Sequence, residues 1–284
     1  MCNQIHLEEF VSLGTKLLNR LAIIAGKGKL PKIIYSESKR QGRDPILITF
    51  EGLNKNIELN DIETFKVHFG KVGKILNIIK NNNCQDVILV GAFSRPSFKS
   101  LAGIDIKGVS LISKIVKSTG DNKSLEIIIN YLIDEGLNVL GTKDIVPHLF
   151  IEKKILTNTK PDKNQKEGIK IGEELLKIIS EYDIGQSIVI SSKRILGIEG
   201  PEGTDELIKR CGKMSFEQKP ILIKRCKIYQ DIRVDLPTIG LDTLKFLYSS
   251  GFSGVAFQSS LTIVIEKEEL IEFANMNKLF VESI

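Results

Sequence analysis

The chain has 284 residues, of which 42% are hydrophobic and 26% charged, with a formal net charge of +5. That length predicts two domains, each able to bury a core, and the composition excludes disordered and fibrous classes. The positive charge is scattered with no block of five or more like charges, so the sequence shows no concentrated basic face of the kind nucleic-acid binding needs, although a fold could assemble one, and a solvated lysine-rich surface is the expected reading.

Residues 1–20 open with Leu7, Phe10, Val11, Leu17 and Leu18 at helical spacing, an expected leading amphipathic helix. Glu8 and Glu9, with no basic stretch before an apolar run, argue against a signal peptide. The period then changes. Leu21–Ala25 is a short apolar run closed by Gly26 and Gly28, Leu30–Gln41 is helical, and Asp44-Pro45 turns the chain into a second apolar run, Ile46–Phe50. Strand, glycine loop, helix and strand make a βαβ unit and imply a parallel sheet. The pattern recurs with a helix at Val72–Lys80, a strand at Val87–Val90, a helix at Leu125–Glu135 and a strand at Leu137–Leu140. Residues 21–152 are therefore expected to be a doubly wound, Rossmann-like α/β domain.

The polar stretch 153–165, which contains Pro161, reads as a linker. Beyond it, 166–284 is expected to be a second α/β domain of different topology. Its predicted elements are a helix over Gly168–Ser180, a hairpin of Ser187–Ile190 with Ile195–Ile198, and a helix over Asp205–Cys211 capped by Thr204. Strands at Ile221–Ile223, Val255–Phe257 and Thr262–Ile265 and a helix over Lys267–Asn277 complete it. No apolar run approaches the ~20 residues that cross a bilayer.

The densest polar constellation is Gln230–Gly240, QDIRVDLPTIG. On a strand, Asp231, Arg233 and Asp235 would share one face while Ile232, Val234 and Leu236 enter the core. Two carboxylates flanking a guanidinium suit a divalent cation and a phosphate, and Pro237–Gly240 would form a tight turn whose N–H groups face the same anion. A surface ion-pair ladder ending in a turn fits the same letters. A second acidic cluster, Glu199, Glu202 and Asp205, precedes a helix amino end that attracts anions, although simple capping accounts for Thr204 and Asp205.

The loop Gly26-Lys27-Gly28-Lys29-Leu30-Pro31 stands where doubly wound folds bind phosphate, but Pro31 replaces the third glycine of the dinucleotide fingerprint. Glu51 stands where a ribose-binding acid would be, and Arg95 lies beyond the Val87–Val90 strand at the same sheet edge. Cys2, Cys84, Cys211 and Cys226 form no pair motif and share no ligand spacing with His6, His68 or His148, so they read as reduced thiols rather than zinc ligands. No triad or nucleophile elbow is present, and metal-assisted attack of water on phosphorus suits the acids and arginine better.

Taken in order, Ile24–Pro31, Gly70-Lys71-Val72-Gly73-Lys74, Gly91-Ala92-Phe93-Ser94-Arg95-Pro96, Asp183-Ile184-Gly185-Gln186, Glu202-Gly203-Thr204-Asp205 and Arg233–Gly240 resemble the UDP-2,3-diacylglucosamine pyrophosphatases of lipid A biosynthesis, over about Leu21 to Phe280. Departures are Lys27 and Asn122, where the family usually has a glycine and an acid, and Ile228-Tyr229 in place of Lys-Pro. The resemblance implies Mg²⁺-dependent hydrolysis at the α-phosphorus to UMP and 2,3-diacylglucosamine 1-phosphate. Expected catalytic residues are Asp235, which the resemblance matches to an aspartate that activity depends on, with Asp231 and Arg233 from the alternating face, and expected metal ligands are Asp235, Asp231 and Glu199. Expected substrate contacts are Gly26, Gly28, Lys29, Arg95, Gln186, Glu202, Thr204, Thr238 and Gly240. The expected partner is the lipid-linked UDP-sugar, met in the cytoplasm or at the periphery of the inner leaflet, with a homodimer open. A nucleotide-dependent oxidoreductase using Gly26, Gly28 and Glu51, or a non-catalytic lipid or nucleotide carrier, are the alternatives.

Overall fold

The structure, a computed structural model, describes residues 19–51, 62–93, 103–117 and 121–284. The expected leading helix lies outside them except for Asn19 and Arg20, and Arg20 already begins the first strand. Arg95 also lies outside the described residues.

Strands β1 (Arg20–Ala25), β2 (Ile46–Phe50), β3 (Thr64–Val67), β4 (Cys84–Val90) and β5 (Asn138–Leu140) form one sheet in the order β3-β2-β1-β4-β5. Every pairing in it is parallel. The apolar runs lack alternation because both faces of the sheet are covered. Ala22, Ile24, Ile46 and Ile48 meet Ile75, Leu76 and Ile79 of helix α2 (Val72–Asn81) and Ile129 and Leu132 of helix α4 (Asp121–Asp134). Helix α3 (Ile106–Val116) packs beside α2 and α4, and the short helix α5 (Thr142–Ile145) follows β5. On the other face Leu21, Ile23, Leu47 and Ile88 meet Ile34 and Tyr35 of helix α1 (Leu30–Arg40). Pro31 falls in the first turn of α1, where its missing N–H costs nothing. Strand order reverses between β1 and β4, the switch point at whose carboxyl edge such sheets hold ligands.

The second domain has a six-stranded sheet ordered β6-β13-β11-β9-β7-β8. Strands β9 (Ile221–Lys224), β11 (Gly254–Phe257) and β13 (Phe280–Ser283) are parallel, while β6 (Lys154–Ile155), β7 (Ser187–Ser191) and β8 (Arg194–Ile198) run antiparallel to their neighbours. Helix α6 (Lys163–Ile179) covers one face through Ile169, Leu176 and Ile179. Helices α7 (Thr204–Gly212), α8 (Leu241–Ser249) and α9 (Lys267–Met276) cover the other through Leu207, Ile208, Leu244, Leu247, Leu270 and Ala274. The stretch expected to be a linker, 153–165, carries edge strand β6 and Asp162, whose carboxylate caps α6 by accepting from the Gln165 N–H at 2.8 Å. Its polarity reflects an edge and a cap rather than a free tether.

The two domains do not have wholly separate cores. Cys226, Leu236 and Ile263 of the second domain join Leu21, Ile23, Ile34 and Ile88 of the first in a single apolar cluster. A short parallel pair, β10 (Thr238–Ile239) with β12 (Ile263–Val264), holds that junction. The segment that carries the acid-rich constellation therefore runs through the joint between the domains.

Candidate functional site

Residues Gln230–Asp235 do not form the expected strand. The Asp231 Oδ1 accepts the Arg233 N–H at 2.9 Å, and the Val234 N–H donates to the Asp231 carbonyl at 3.1 Å. A side chain that binds its own backbone in this way competes with extended pairing and fixes a turn. Ile232, expected in the core, is 58% exposed. Val234 (3% exposed) joins the cluster on one face of the first sheet, and Leu236 (9%) joins the cluster on the opposite face. The chain thus straddles the carboxyl edge of that sheet. A Cβ placed on Gly141, just after β5, would lie 3.1 Å from the Arg233 Cα, which shows how closely the two backbones approach.

Asp235 lies between those two anchors, exposed and with φ at 53°, a left-handed conformation that aspartate tolerates. Two amides hold its carbonyl: Gln230 Nε2 and Gln186 Nε2 both donate to it, the latter at 3.2 Å. Gln186 Nε2 also donates to Gln230 Oε1 at 3.2 Å. The other expected pair is spent internally. Arg233 forks onto Asp231, with Nε to Oδ1 at 3.0 Å and a terminal nitrogen to Oδ2 at 2.6 Å. The Arg233 bond holds the Asp231 carboxyl below the usual carboxylate range, and Asp231 in turn raises the guanidinium.

Gln186 also leads to the second acidic cluster. It precedes β7, whose Ser187 stands opposite Lys224, the last residue of β9. Thr204 is the first residue of α7 and not its cap; Gly203, with φ at 84°, takes the capping position. The Thr204 hydroxyl is occupied elsewhere. It accepts from Lys224 Nζ at 2.6 Å, donates to Glu199 Oε1 at 3.1 Å, and lies 3.3 Å from the Ser187 hydroxyl. Glu199 Oε2 is buried without a hydrogen-bond partner among the described residues. Glu202 folds back on its own loop, where backbone N–H groups of Glu202 and Gly200 and the Arg210 guanidinium keep its carboxyl low. A Cβ on Gly185 would overlap the Glu199 carbonyl, so this close approach permits only glycine. Neither Lys224 nor Ser187 is given a site role by the sequence, and Gln230 appears there only as the first residue of the polar constellation. A lysine closing the apolar run Ile221–Lys224 was the available signal.

The remaining expected contacts lie elsewhere. Gly26 and Gly91 pack backbone to backbone at the β1–β4 switch point, and the chain after them pairs through Lys27 and Ala92 at 2.8 and 2.9 Å. Gly28 has φ at 102°, a conformation that suits glycine. Lys29 Nζ crosses to the second domain, where it reaches Glu266 at 2.8 Å and Asp242 at 3.0 Å, and those bonds raise its pKa. Glu51 is exposed at the end of β2. Pro237–Gly240 is not a free turn. Thr238 belongs to β10, and the Gly240 N–H points to the Thr243 hydroxyl at 3.4 Å as the start of α8.

Among the described residues no group of three or more His, Cys, Asp or Glu side chains is arranged to hold a metal. Asp231 is taken by Arg233, and Glu199 is engaged with Thr204. Asp235, Asp231 and Glu199 therefore do not make a preformed cage. Mg²⁺ needs less, because it keeps several waters and takes one or two protein carboxylates together with substrate phosphates. Asp235 fits that limited demand. Cys84, Cys211 and Cys226 are free and buried, and burial pushes the Cys226 thiol up to about 11, which makes it a poor ligand or nucleophile.

Models of the LpxI family match both halves of the chain, the N-terminal domain over residues 20–149 and the C-terminal domain over residues 152–282. The UDP-2,3-diacylglucosamine pyrophosphatase LpxI of Caulobacter vibrioides is 26% identical over 273 residues, covering 93% of this chain and 97% of that protein. Among solved structures, N5-carboxyaminoimidazole ribonucleotide synthetase from Thermotoga maritima shares 12% identity over 66% of this chain and 42% of its own. Its TM-score is 0.24, too low to support an argument.

Proposed function

The chain belongs to the LpxI family, and from that premise we propose that it hydrolyses the pyrophosphate of UDP-2,3-diacylglucosamine to UMP and 2,3-diacylglucosamine 1-phosphate, a step of lipid A biosynthesis. The observation that carries this reading is Gln186, whose side chain holds the Asp235 carbonyl while the next residue, Ser187, reaches the Thr204–Lys224–Glu199 cluster. The backbone of Asp235 is thus tied, through Gln186, to the strand whose Ser187 touches this polar cluster.

In this reading the oxygen of water bonds to the α-phosphorus and the bridging P–O bond breaks, leaving the lipid 1-phosphate. The water's protons pass to Asp235 and solvent. Asp235 orients that water, and the amides on its carbonyl fix the backbone from which the carboxylate projects. Arg233, held by Asp231 in the free protein, would turn from that carboxylate onto a substrate phosphate and stabilise its charge there; electrostatic stabilisation of this kind commonly dominates phosphoryl transfer. Asp235 would be the first residue to hold a Mg²⁺ ion, with Asp231 and Glu199 as further carboxylates once released from Arg233 and Thr204, and the ion would supply charge neutralisation for the diphosphate. Exposed Ile228, Tyr229 and Ile232 lie next to Asp231 in the chain, and the 2.6 Å Lys227–Asp183 ion pair brings in the segment of exposed Tyr182 and Ile184. That apolar surface suits the acyl chains and peripheral contact with the inner leaflet from the cytoplasmic side. No helix among the described residues is long and apolar enough to cross a membrane.

The test is UMP release from authentic UDP-2,3-diacylglucosamine in mixed micelles. Turnover with Mg²⁺ that stops on chelation is expected. Binding without UMP release would replace the enzyme reading with that of a carrier.

A further inference from the structure

Lys224 is 7% exposed, yet among the described residues no carboxylate lies within ion-pair distance of it. Its partner is a neutral hydroxyl, Thr204 Oγ1 at 2.6 Å. An ammonium has three donors, and removing it from water without a direct ion pair is unfavourable for the fold. An apolar residue would suit the end of a buried strand better. The same hydroxyl donates to Glu199 Oε1 at 3.1 Å, so that carboxylate reaches Lys224 only through Thr204 and leaves its other donors without a direct ionic partner among the described residues.

We propose that Lys224 contacts a phosphate of the substrate directly, with the Thr204 hydroxyl positioning its ammonium. This rests on the diphosphate reading above. The position fits that role in two ways. Lys224 ends β9 at the carboxyl edge of the parallel strands, where ligands of open α/β sheets sit, and Thr204 opens a nine-residue helix whose amino end favours an anion. The next residue also ties the cluster to Asp235, because the Arg225 N–H donates to the Gln186 carbonyl at 2.8 Å. A phosphate held by Lys224 would thus be fixed by the same backbone that fixes the Gln186 clamp.

The test uses the full chain, its Lys224→Met and Lys224→Gln variants, and inorganic pyrophosphate as probe. Calorimetry and pyrophosphate-dependent melting shifts measure binding, and UMP release measures turnover. Wild type should bind pyrophosphate. Both variants should remain folded, and both should lose the pyrophosphate shift and at least about 100-fold in turnover. Retention of the shift in either variant, absence of pyrophosphate binding by wild type, or loss of folding in both variants would each overturn the proposal. Wild type that binds pyrophosphate through Lys224 but releases no UMP would sink the hydrolase reading and leave this site standing.

Discussion

Asp235 allows charge and backbone geometry to be varied separately. Its φ of 53° is tolerated by aspartate and asparagine, open to glycine, and unfavourable for alanine by about 1–2 kcal/mol. The bonds from Gln186 and Gln230 go to its carbonyl, so they survive any side-chain replacement. Asp235→Asn and Asp235→Gly should therefore melt close to wild type. Asp235→Ala should melt roughly 2–4 °C lower for each kcal/mol lost in a protein of this size class. All three lack the carboxylate and should lose turnover alike, by roughly 100-fold or more. Melting followed by circular dichroism, together with UMP release on the same preparations, measures both quantities. If the asparagine variant keeps turnover within tenfold of wild type, or if residual activities rank with melting temperature, the carboxylate has no chemical role.

Three further perturbations test the frame around the site. Asp86 is buried beside Arg43 at 2.6 Å; burial pushes its carboxyl up, but bonds from Arg43, Asn138 and Asn19 prevail and hold it low. Its contribution is then present above the ordinary carboxylate range and lost as pH falls through the depressed value. Asp86→Ala should cost about 3–5 kcal/mol at neutral pH, with a smaller cost in acid, as read by urea unfolding at both. Lys29→Met removes the half-exposed strut to Glu266 and Asp242 and should cost less than about 1 kcal/mol, less still in high salt. Because those partners raise the Lys29 pKa, its contribution persists below the ordinary lysine range and fades as pH rises through the raised value. A strut predicts that turnover changes only a few-fold, and a larger loss would make Lys29 a substrate contact. Gly185→Ala drives a Cβ into the Glu199 carbonyl and should cost about 1–3 kcal/mol with a clear fall in turnover, whereas unchanged kinetics would show that the two loops move independently.

Periodicity made much of the architecture legible. Leu21–Ala25 and Ile46–Phe50 are buried on both faces, and continuous apolar runs report that condition directly. Short edge elements were hidden. β6 has two residues paired only with β13, so its letters look like a tether. The acid-rich block misled for a different reason. Alternating acids and apolar residues imply a strand only if the backbone is extended, and Asp231 instead binds the Arg233 N–H two residues on. Val234 and Leu236 are still buried, but against opposite faces of the other domain's sheet, a tertiary fact outside local spacing. Thr204 illustrates the same limit, since its partner Lys224 lies twenty positions away.

The most direct measurement is hydrolysis of UDP-2,3-diacylglucosamine in ¹⁸O-labelled water, with mass spectrometry of both phosphate products. Attack at the α-phosphorus predicts one label in UMP and none in 2,3-diacylglucosamine 1-phosphate. Label in the lipid phosphate, or products without label, would contradict the mechanism assigned to this site.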